Sequence, residues 1–499
     1  MAPRLAPYNP IAGSGHVSKC QRRWSRESIT WLAISLIVIA GTVRVLDFVG
    51  HEPILALANN FDMVRIQSCH DFWPADEQIP PGARSHTAPL HDYRYDPAIS
   101  LDKCIGSTEL IFTQPIEWLA ASADWTTFSI RWIGAAKGIA LILLATTLCA
   151  LISRHSKISG IVAALSFTFV IADPVNLLYL NGFYTEFSAL FSLAGCIGFG
   201  YLAVARPRGF TTLAFAGFVF ALGLTKVQHA PLPALFAAWF VWAAWRRPGL
   251  SFPHVLAPIA AAVLVGAIQV VHYQTDRYNG IRTANTTNLY LGAVLGSSPA
   301  PSETAQLLGL PPSCAAAAGQ TWYSPGVQAG EVCPEIRRLS RMQLAKLVIE
   351  QPSVIVAMAR GALERTRPWT PGYVGQVGGE HFGDASDHAF TLEDFVVSLP
   401  ASVFAFLILA PIACTIGLIG RNLVGSGPAG SGSDVFVLAA LVTPAIIAIA
   451  VLGDGYAGLG KHAHLSFTTL GITWLIACTV LLRGAGRRTV ARSGPTPHA

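Results

Sequence analysis

The first long apolar run of the chain reads ITWLAISLIVIAGTVRVLDF, from Ile29 to Phe48. It has the length of about 20 residues that an α-helix needs to cross the hydrocarbon core of a bilayer. Because the run is too long and too uninterrupted for the apolar part of a signal peptide, we expect it to remain as a helix. Nine similar runs follow: Trp132 to Ile152, Ile158 to Leu178, Phe187 to Ala205, Phe210 to Leu224, Pro231 to Trp245, Val255 to Val271, Leu399 to Ile419, Val435 to Leu452 and Leu465 to Leu482.

The composition of the whole chain agrees with this pattern. Of its 499 residues, 52% are hydrophobic and 12% are charged, whereas a soluble protein carries about a quarter charged residues. The mean hydropathy is +0.48. The sequence therefore predicts an all-α polytopic membrane protein with about ten transmembrane helices and two large extracytoplasmic loops.

Lysine and arginine residues predict the orientation, since cationic connections are retained in the cytoplasm. They precede the first run and then occupy every second connection: Lys19, Arg22, Arg23, Arg26, Arg154, Lys157, Arg206, Arg208, Arg246, Arg247, Arg421, Arg483, Arg487, Arg488 and Arg492. Nearly all acidic residues fall in the other connections. We therefore expect both termini inside the cell, membrane lipid around the helices, and no nucleic-acid partner for the net charge of +6.

The same alternation divides the chain into five segments. They are a cytoplasmic N-terminal lead at 1–28, an N-terminal transmembrane module at 29–271 with an outer loop at 49–124, an extracytoplasmic loop region at 272–398, a C-terminal transmembrane module at 399–482 and a cytoplasmic tail at 483–499. In the third segment, Ile336 to Arg367 has helical spacing and a basic face. This pattern predicts a helix on the bilayer surface, broken at Gln351-Pro352.

Four cysteines lie in the two large outer loops. Cys69 and Cys104 share the first loop, and Cys314 and Cys333 share the second. Each pair would close a modest loop in an oxidising space, so we predict two disulfides, with four unpaired thiols as the alternative.

One acidic residue lies close to the first membrane helix. Asp62 stands in the stretch ANNFDMVRIQ, Ala58 to Gln67, which follows the first apolar run by about the length of one short helix. Its carboxylate is therefore expected just outside the membrane, with the cation Arg65 nearby. Position alone leaves open the alternative that Asp62 is a solvated loop residue.

Three further outer turns carry side chains suited to a sugar or a phosphate. The candidates are Asp173, Asn181, Tyr184 and Glu186 in the turn Asp173 to Glu186, Lys226, Gln228 and His229 in the turn Thr225 to Pro231, and Asp454, Lys461 and His462 in the turn Gly453 to His464. Aromatic and amide groups can stack on and hydrogen-bond a sugar, whereas Lys and His suit a phosphate. The alternatives are an interfacial tyrosine belt for the first turn and a favourable helix N-terminal charge for Glu186.

Lys137 is a cation within an apolar run. A charge inside the membrane is by default a functional candidate whose partner must be found. Its distance from the helix start at Trp132 also allows the side chain to snorkel to the membrane surface. The sequence does not choose between these interpretations.

Together these residues resemble the class C glycosyltransferases, multi-helix membrane enzymes that use a polyprenyl-phosphate sugar and place an acidic residue in the first outer loop. Within that class the chain is similar to bacterial hexose transferases of surface-glycan pathways. The blocks that carry the resemblance are Asn59 to Arg65, Asn181 to Glu186, Lys226 to Pro231, and Gly453-Asp454-Gly455 with Lys461-His462. They agree with the class in order and side over most of the chain.

The resemblance implies transfer of a sugar, expected to be a hexose, from a polyprenyl-phosphate donor to a glycan or lipid acceptor at the outer face of a bacterial inner membrane. Asp62 would be the general base, acting in a single displacement with inversion. The candidates for binding the phosphate are Arg65, Lys226, His229, Lys461 and His462. No cofactor is certain; Mg²⁺ or Mn²⁺ would bind only if Glu186 or Asp173 approaches Asp62.

Two other functions stay open at this stage. A transporter or flippase of a lipid-linked or anionic substrate would also have many helices and cavity-facing charges, but it should show inverted repeats with charges near mid-membrane. A scaffold protein of the cell envelope would have no catalytic site. The absence of a G-x-x-x-x-G-K-[ST] phosphate loop argues against a sugar-nucleotide donor.

Overall fold

The computed structural model describes residues 14–52, 54–57, 61–75, 91–96, 98, 103–247, 250, 252–370, 374–376, 391–423 and 431–492. Asn59 and Asn60, which precede Asp62 in the quoted stretch, lie outside this part of the chain.

The fold is built from α-helices, as the composition predicts. They are α1 Ser14–Gly50, α2 Phe61–Gln67, α3 Leu110–Ser122, α4 Arg131–His155, α5 Lys157–Ser166, α6 Pro174–Leu177, α7 Glu186–Ala205, α8 Gly209–Gly223, α9 Leu232–Trp245, α10 Phe252–Gln274, α11 Asn279–Thr287, α12 Pro301–Leu307, α13 Met342–Glu350, α14 Pro352–Arg365, α15 Leu392–Ser398, α16 Ala401–Leu423, α17 Ser431–Asp454, α18 Leu459–His462 and α19 His464–Arg492. Two π-helical segments, Phe167–Ile171 and Asn288–Leu295, continue α5 and α11.

Six helices among the described residues are long and apolar enough to cross a membrane, and a seventh is added if the bent pair α13 and α14 forms one span. The six lie in α1, α4, α7, α10, α16 and α17. Three of the other four predicted spans correspond to the shorter helices α5, α8 and α9, and the fourth corresponds to α19, whose apolar part is confined to His464–Val480. The chain is therefore a multi-pass membrane protein, and each of the ten apolar runs contains a helix.

Helix α7 lies at the centre of the bundle. In its apolar window 94% of the residues are buried, compared with 22% in α10 and in α16. Small residues allow its neighbours to approach closely: a Cβ at Gly195 would lie 2.2 Å from Phe218 of α8, and one at Gly198 would lie 2.6 Å from Leu148 of α4. The first residue of α7, Glu186, is therefore held by a rigid element.

One end of the bundle carries the ion pairs expected of the inner side. Arg246 and Arg247, at the end of α9, lie 2.9 and 2.6 Å from the carboxylate of Asp434 in the first turn of α17. Asp434 is one of the few acidic residues in the connections predicted to be cytoplasmic. The pairing places the end of α9 and the start of α17 on the same side.

The segments predicted to lie outside the cell contain two small antiparallel sheets. Strands β1 (Leu55–Leu57) and β5 (Val374–Gln376) pair with Leu55 opposite Gln376, and β2 (Phe72–Pro74), β3 (Asp92–Tyr95) and β4 (Thr127–Ser129) form the second sheet. Both predicted disulfides are confirmed: the sulfur atoms of Cys69 and Cys104 are 2.14 Å apart, and those of Cys314 and Cys333 are 2.00 Å apart.

The predicted break at Gln351-Pro352 is also confirmed, since α13 and α14 meet there at an angle of 109°. Some of their basic residues contact other parts of the protein and do not face the membrane surface alone. Lys346 donates to the carbonyl of Leu307, and the Arg365 guanidinium lies over the Tyr456 ring. Much of the basic face therefore holds the outer segments together.

Two helices extend beyond the predicted transmembrane modules, whose boundaries stay a prediction. Helix α1 begins at Ser14, within the lead that the sequence left without a fold, and α19 continues to Arg492, within the predicted tail. The apolar pattern missed these extensions because polar helical turns beyond a membrane lack its periodicity.

Candidate functional site

A large cavity lies where the predicted outer ends of α7, α10 and α17 meet the turn between α8 and α9. Its volume is 1430 Å³, whereas sites for one small ligand are about 300–1,000 Å³. The predicted site residues that line it are Asp62, Arg65, Glu186, Lys226, Gln228, Asp454, Lys461 and His462. The cavity is large enough to hold two substrates at once.

Asp62 lies in the first turn of α2 and contacts two cationic side chains. Its Oδ1 is 2.9 Å from the guanidinium of Arg65, one turn along the helix, and its Oδ2 is 2.5 Å from Nζ of Lys461. Burial favours the neutral acid, but Lys461 and then Arg65 outweigh it and hold the pKa of Asp62 well below its usual range. Asp62 is therefore an ionised group of the cavity, not an isolated residue of a solvated loop.

The backbone around Asp62 is fixed by packing and by a covalent link. Met63 and Val64 of α2 are buried, and the helix leads directly into the Cys69–Cys104 disulfide. The amide of Ile105, next to Cys104, donates to the carbonyl of Arg65 over 3.2 Å. These contacts fix the direction in which the carboxylate of Asp62 points.

Glu186 and Lys226 form a second ion pair at the cavity wall. Nζ of Lys226 donates to Oε1 of Glu186 over 2.8 Å, and the lysine is the more exposed of the two side chains. Glu186 begins α7, so it also has the favourable N-terminal position that the sequence offered as an alternative. The pair presents an ammonium group to the cavity.

His462 and Asp454 form a third pair. Nε2 of His462 is 3.2 Å from Oδ2 of Asp454, and Asn288 donates to Oδ1 of the same carboxylate over 2.7 Å. Burial lowers the pKa of His462 despite its acidic partner. The imidazole is therefore neutral at neutral pH, so it contributes a hydrogen bond and not a charge.

Gly455 permits this arrangement. Its φ is +58°, and a Cβ there would lie 2.1 Å from the carbonyl oxygen of Asn288. Only glycine tolerates both this conformation and this approach. Gly455 therefore has a geometric role in the Gly453-Asp454-Gly455 block.

Arg341 is a cavity residue that the sequence reasoning missed as an individual. It lines the cavity and donates to the carbonyl of Gly453 over 3.2 Å and to Oγ1 of Thr286 over 3.3 Å. The sequence signal was only the basic face of a surface helix. With Arg341, the described cavity wall carries four Lys or Arg side chains and three carboxylates.

The turn Asp173 to Glu186, which was predicted to stack on a sugar, is mostly buried. Asp173 accepts from the amides of Val175 and Leu392, and Asn181 donates to the carbonyl of Leu55. Neither residue lines the cavity. Their contact with a substrate therefore stays a prediction.

Tyr184 and His229 lie directly behind the cavity wall. Tyr184 is 1% exposed, and its ring centroid is 5.7 Å from Nζ of Lys461. His229 is buried with its Nδ1 2.7 Å from Oγ1 of Thr225, and burial holds its pKa well below the ordinary value. They can position the two lysines but do not reach the cavity themselves.

Lys137 has a buried partner that neither interpretation of the sequence named. Its Nζ is 2.5 Å from Oε1 of Glu109, and both side chains are fully buried. Lys137 also donates to the carbonyls of Tyr179 and Gly182, while Oε2 of Glu109 accepts from the amide of Ser188. The snorkelling interpretation is therefore wrong: Lys137 joins an outer segment to the start of α7.

The predicted divalent cation stays a prediction. The cavity carboxylates are engaged by cations or by His462 and Asn288, and Asp173 is not on the wall. Within the described residues, the one convergence of three ligand atoms is Cys314, Cys333 and Glu335. Its two sulfur atoms are joined in a disulfide, so this set does not suit a metal ion.

Comparison with known proteins gives a structural likeness and a family. A solved structure of the archaeal oligosaccharyltransferase AglB from Archaeoglobus fulgidus, in complex with an inhibitory peptide and a dolichol-phosphate, is similar over 95% of this chain with 12% identity and a TM-score of 0.41. The chain spans about half of that protein, 53% of its length. This degree of similarity is too low to support conclusions about function.

No curated protein matches the chain. A family model described as the YfdI N-terminal transmembrane domain matches residues 17–492, which is nearly the whole sequence. The protein therefore belongs to the family of the YfdI N-terminal transmembrane domain.

Proposed function

We propose that the protein is a membrane glycosyltransferase of the class C type, which moves a sugar from a polyprenyl-phosphate donor to a glycan or glycolipid. The observation that carries the proposal is the position of Asp62 between two cations at the wall of a large cavity. A site for this chemistry needs a base for the acceptor hydroxyl and positive charge for the departing phosphate.

The charge around the cavity favours an anionic ligand. Its described wall carries one more cationic than anionic side chain, so a phosphate monoanion would balance the charge. Lys461 and Lys226 are the best placed cations because both lie on the wall and each is already oriented by a carboxylate. Arg65 and Arg341 extend this positive surface.

The cavity wall also suits a lipid. Gly266 and Val270 of α10 and Ile449 and Leu452 of α17 line it within membrane-spanning helices. An isoprenoid chain attached to the phosphate would contact this apolar part while its head group lies among the cations. A water-soluble donor would leave the same surface unused.

The proposed reaction is a single displacement. The acceptor hydroxyl attacks the anomeric carbon and gives its proton to Asp62, while the bond from that carbon to the phosphate oxygen breaks and the polyprenyl phosphate leaves with the electron pair. Attack opposite the leaving group inverts the anomeric centre. Lys461 and Lys226 stabilise the negative charge that develops on the phosphate.

The ion pair between Lys461 and Asp62 has a role in this sequence. While Lys461 binds Asp62, the carboxylate is a weak base because its pKa is low. A donor phosphate that attracts Lys461 would weaken this contact and raise the basicity of Asp62. Donor binding would thereby activate the base that deprotonates the acceptor.

The test is sugar transfer by Asp62→Asn with purified protein and a polyprenyl-phosphate hexose. Asn retains the shape of the side chain but not its proton acceptor, so we expect turnover to fall about 100-fold or more while donor binding survives. Asp71→Asn is the matched control, because Asp71 lies in the same outer segment but not on the cavity wall. Near wild-type turnover in Asp62→Asn, with both variants folded, would refute the assignment.

The same assay separates the enzyme from a lipid flippase. A flippase would move the lipid-linked sugar across the bilayer of a vesicle without releasing polyprenyl phosphate. Release of polyprenyl phosphate that requires an acceptor is the expected result. The proposed location of the reaction is the outer face of a bacterial inner membrane. The position of the cavity, at the helix ends remote from the cationic connections, supports the outer face.

A further inference from the structure

One face of α10 runs along the cavity from an apolar to an aromatic end. The residues of α10 that line the cavity are Gly266, Gln269, Val270, Tyr273 and Gln274, at positions i, i+3, i+4, i+7 and i+8, as expected for a single helix face. From Gly266 to Tyr273 the helix rises about 10 Å. The cavity therefore changes character along this wall, from a part that suits a lipid to a part that ends in a tyrosine.

Two further tyrosines line the cavity beyond the end of α10. The ring centroids of Tyr273 and Tyr278 are 6.5 Å apart with an angle of 46° between the planes. Tyr323 comes from a different segment and is 66% exposed although it lines the cavity. We call Tyr273, Tyr278 and Tyr323 the tyrosine rim. Such rings offer an apolar face together with a hydroxyl group.

The tyrosine rim is held in place from two directions. Arg277, next to Tyr278, donates to the carbonyl of Cys104, a half-cystine of the first disulfide. Tyr323 lies in the loop closed by Cys314 and Cys333. Each disulfide therefore restrains a segment that carries one of these rings, which limits the conformational entropy lost when a ligand binds.

The segment that carries Tyr323 is also hydrogen-bonded to the charged residues of the cavity wall. The amide of Trp322, next to Tyr323, donates over 2.6 Å to Oδ1 of Asn288, whose Nδ2 donates to Asp454. Asp454 in turn contacts His462. A chain of hydrogen bonds thus connects the segment of Tyr323 to His462, the neighbour of Lys461, which is proposed to bind the phosphate.

The tyrosine rim and the proposed base line the same cavity. Tyr278, Arg65 and Asp62 are all part of its wall, and Arg65 contacts Asp62. Burial raises the pKa of Tyr278 to about 12. The Tyr278 hydroxyl therefore stays protonated at neutral pH and can donate a hydrogen bond to a ligand in this cavity.

We infer that the tyrosine rim is the subsite for a sugar ring of the acceptor, and that the acceptor is a glycan rather than a simple alcohol or a lipid. This inference rests on the proposed function, since it names the second substrate of that site. Tyr273 and Tyr323 would stack on the apolar faces of sugar rings. Tyr278 would hydrogen-bond the acceptor beside Asp62, so that its hydroxyl lies within reach of the base.

An alternative role for these tyrosines is a belt at the membrane surface. A belt residue acts through lipid, so its replacement would leave acceptor kinetics unchanged. Tyr273→Ala and Tyr323→Ala test this, and Tyr323→Phe tests the ring without its hydroxyl. Phe252→Ala is the matched control, because Phe252 is an aromatic residue at the other end of α10, is 76% exposed and does not line the cavity.

In the transfer assay we expect the acceptor KM to rise about tenfold or more in both alanine variants. The donor KM and the kcat at saturating acceptor should remain within about twofold of wild type, since the phosphate site is intact. Tyr323→Phe should resemble wild type. An unchanged acceptor KM in both alanine variants, or an equal rise in the donor KM, would overturn the inference.

A binding experiment separates this inference from the proposed function. A fluorescently labelled hexose oligosaccharide is titrated into wild-type protein in lipid nanodiscs, with no donor present. We expect binding that weakens about tenfold in Tyr273→Ala and Tyr323→Ala and not in Phe252→Ala. Such binding without any sugar transfer would refute the proposed function and retain the subsite; no binding by wild type, or equal binding by all variants, would refute the subsite.

Discussion

Replacing Lys137 by Met should destabilise the protein strongly although it leaves the cavity wall unchanged. Lys137 and Glu109 are both fully buried, with Nζ and Oε1 2.5 Å apart. At this distance the Coulomb attraction is about 7 kcal/mol for an effective dielectric constant of about 20. Transfer of the two ions from water costs several kcal/mol each. This cost nearly cancels the attraction, so the pair as a whole contributes little net free energy to folding.

The single variant retains the cost of burying Glu109 and loses the attraction. We therefore expect Lys137→Met to lower stability by about 3–5 kcal/mol. The double variant Lys137→Met with Glu109→Gln should recover most of this loss, because the introduced amide would still accept the hydrogen bond from Ser188 without a buried charge. The control is Glu364→Gln in the exposed Arg360–Glu364 pair, which should leave the melting temperature unchanged.

The Lys137→Met loss should also depend on pH. Burial raises the pKa of Glu109 even with Lys137 present, and removal of the cation raises it further. The folded state then keeps a proton that the unfolded state has lost, so stability falls as the pH rises from about 4.3 to the raised pKa. Melting followed by tryptophan fluorescence at several pH values is the assay. A small, pH-independent loss would refute the assignment of a buried ion pair.

Three other results are expected. Gly455→Ala should reduce both stability and activity, since its Cβ would clash with Asn288, whereas Gly417→Ala, at a position with open space, should not; equal melting temperatures would contradict this. Lys226→Met should be unstable because it leaves Glu186 buried and without its lysine partner. Adding Glu186→Gln should restore the stability, while the donor KM stays raised about tenfold. Recovery of both the stability and the donor KM would assign Lys226 a purely structural role. Burial alone would raise the pKa of Asp62, but Lys461 and Arg65 hold it low. The value of kcat/KM reports the free enzyme, so it should show no loss from protonation of Asp62 near neutral pH. The value of kcat reports the donor complex, in which the pKa of Asp62 is proposed to be higher, so kcat should fall as the pH falls through that pKa; identical pH profiles of kcat and kcat/KM would count against activation by the donor.

The sequence predicted the helices and the cysteine pairs because the helices depend on local hydrophobicity and the disulfides depend on an oxidising compartment. An apolar run such as Ile29 to Phe48 must form a helix in lipid, where backbone groups have no other partner. Four cysteines in outer loops have few reasons to remain as thiols. Polar ends of helices were missed, as at Ser14, since nothing in their pattern distinguishes them from a loop.

The sequence indicated which turns contain candidate site residues, but not which of these residues contact one another. Asp62 and Lys461 are separated by most of the chain, and no spacing rule brings them together. The aromatic residues show the same limit: Tyr184 in a polar turn proves to be buried, while Tyr323 in a plain loop lines the cavity. Periodicity reports the face of one helix, whereas these contacts depend on the packing of several.

The ion pairs at the cavity wall have a consequence for selectivity. A ligand anion must compete with Asp62 for Lys461 and with Glu186 for Lys226, so its charge alone gives little net gain. Inorganic phosphate and soluble sugar phosphates have no further contact to offset that competition. A donor with an isoprenoid tail does, because the apolar wall of α10 and α17 adds hydrophobic binding. The protein would thus reject the abundant small anions around it without any steric filter.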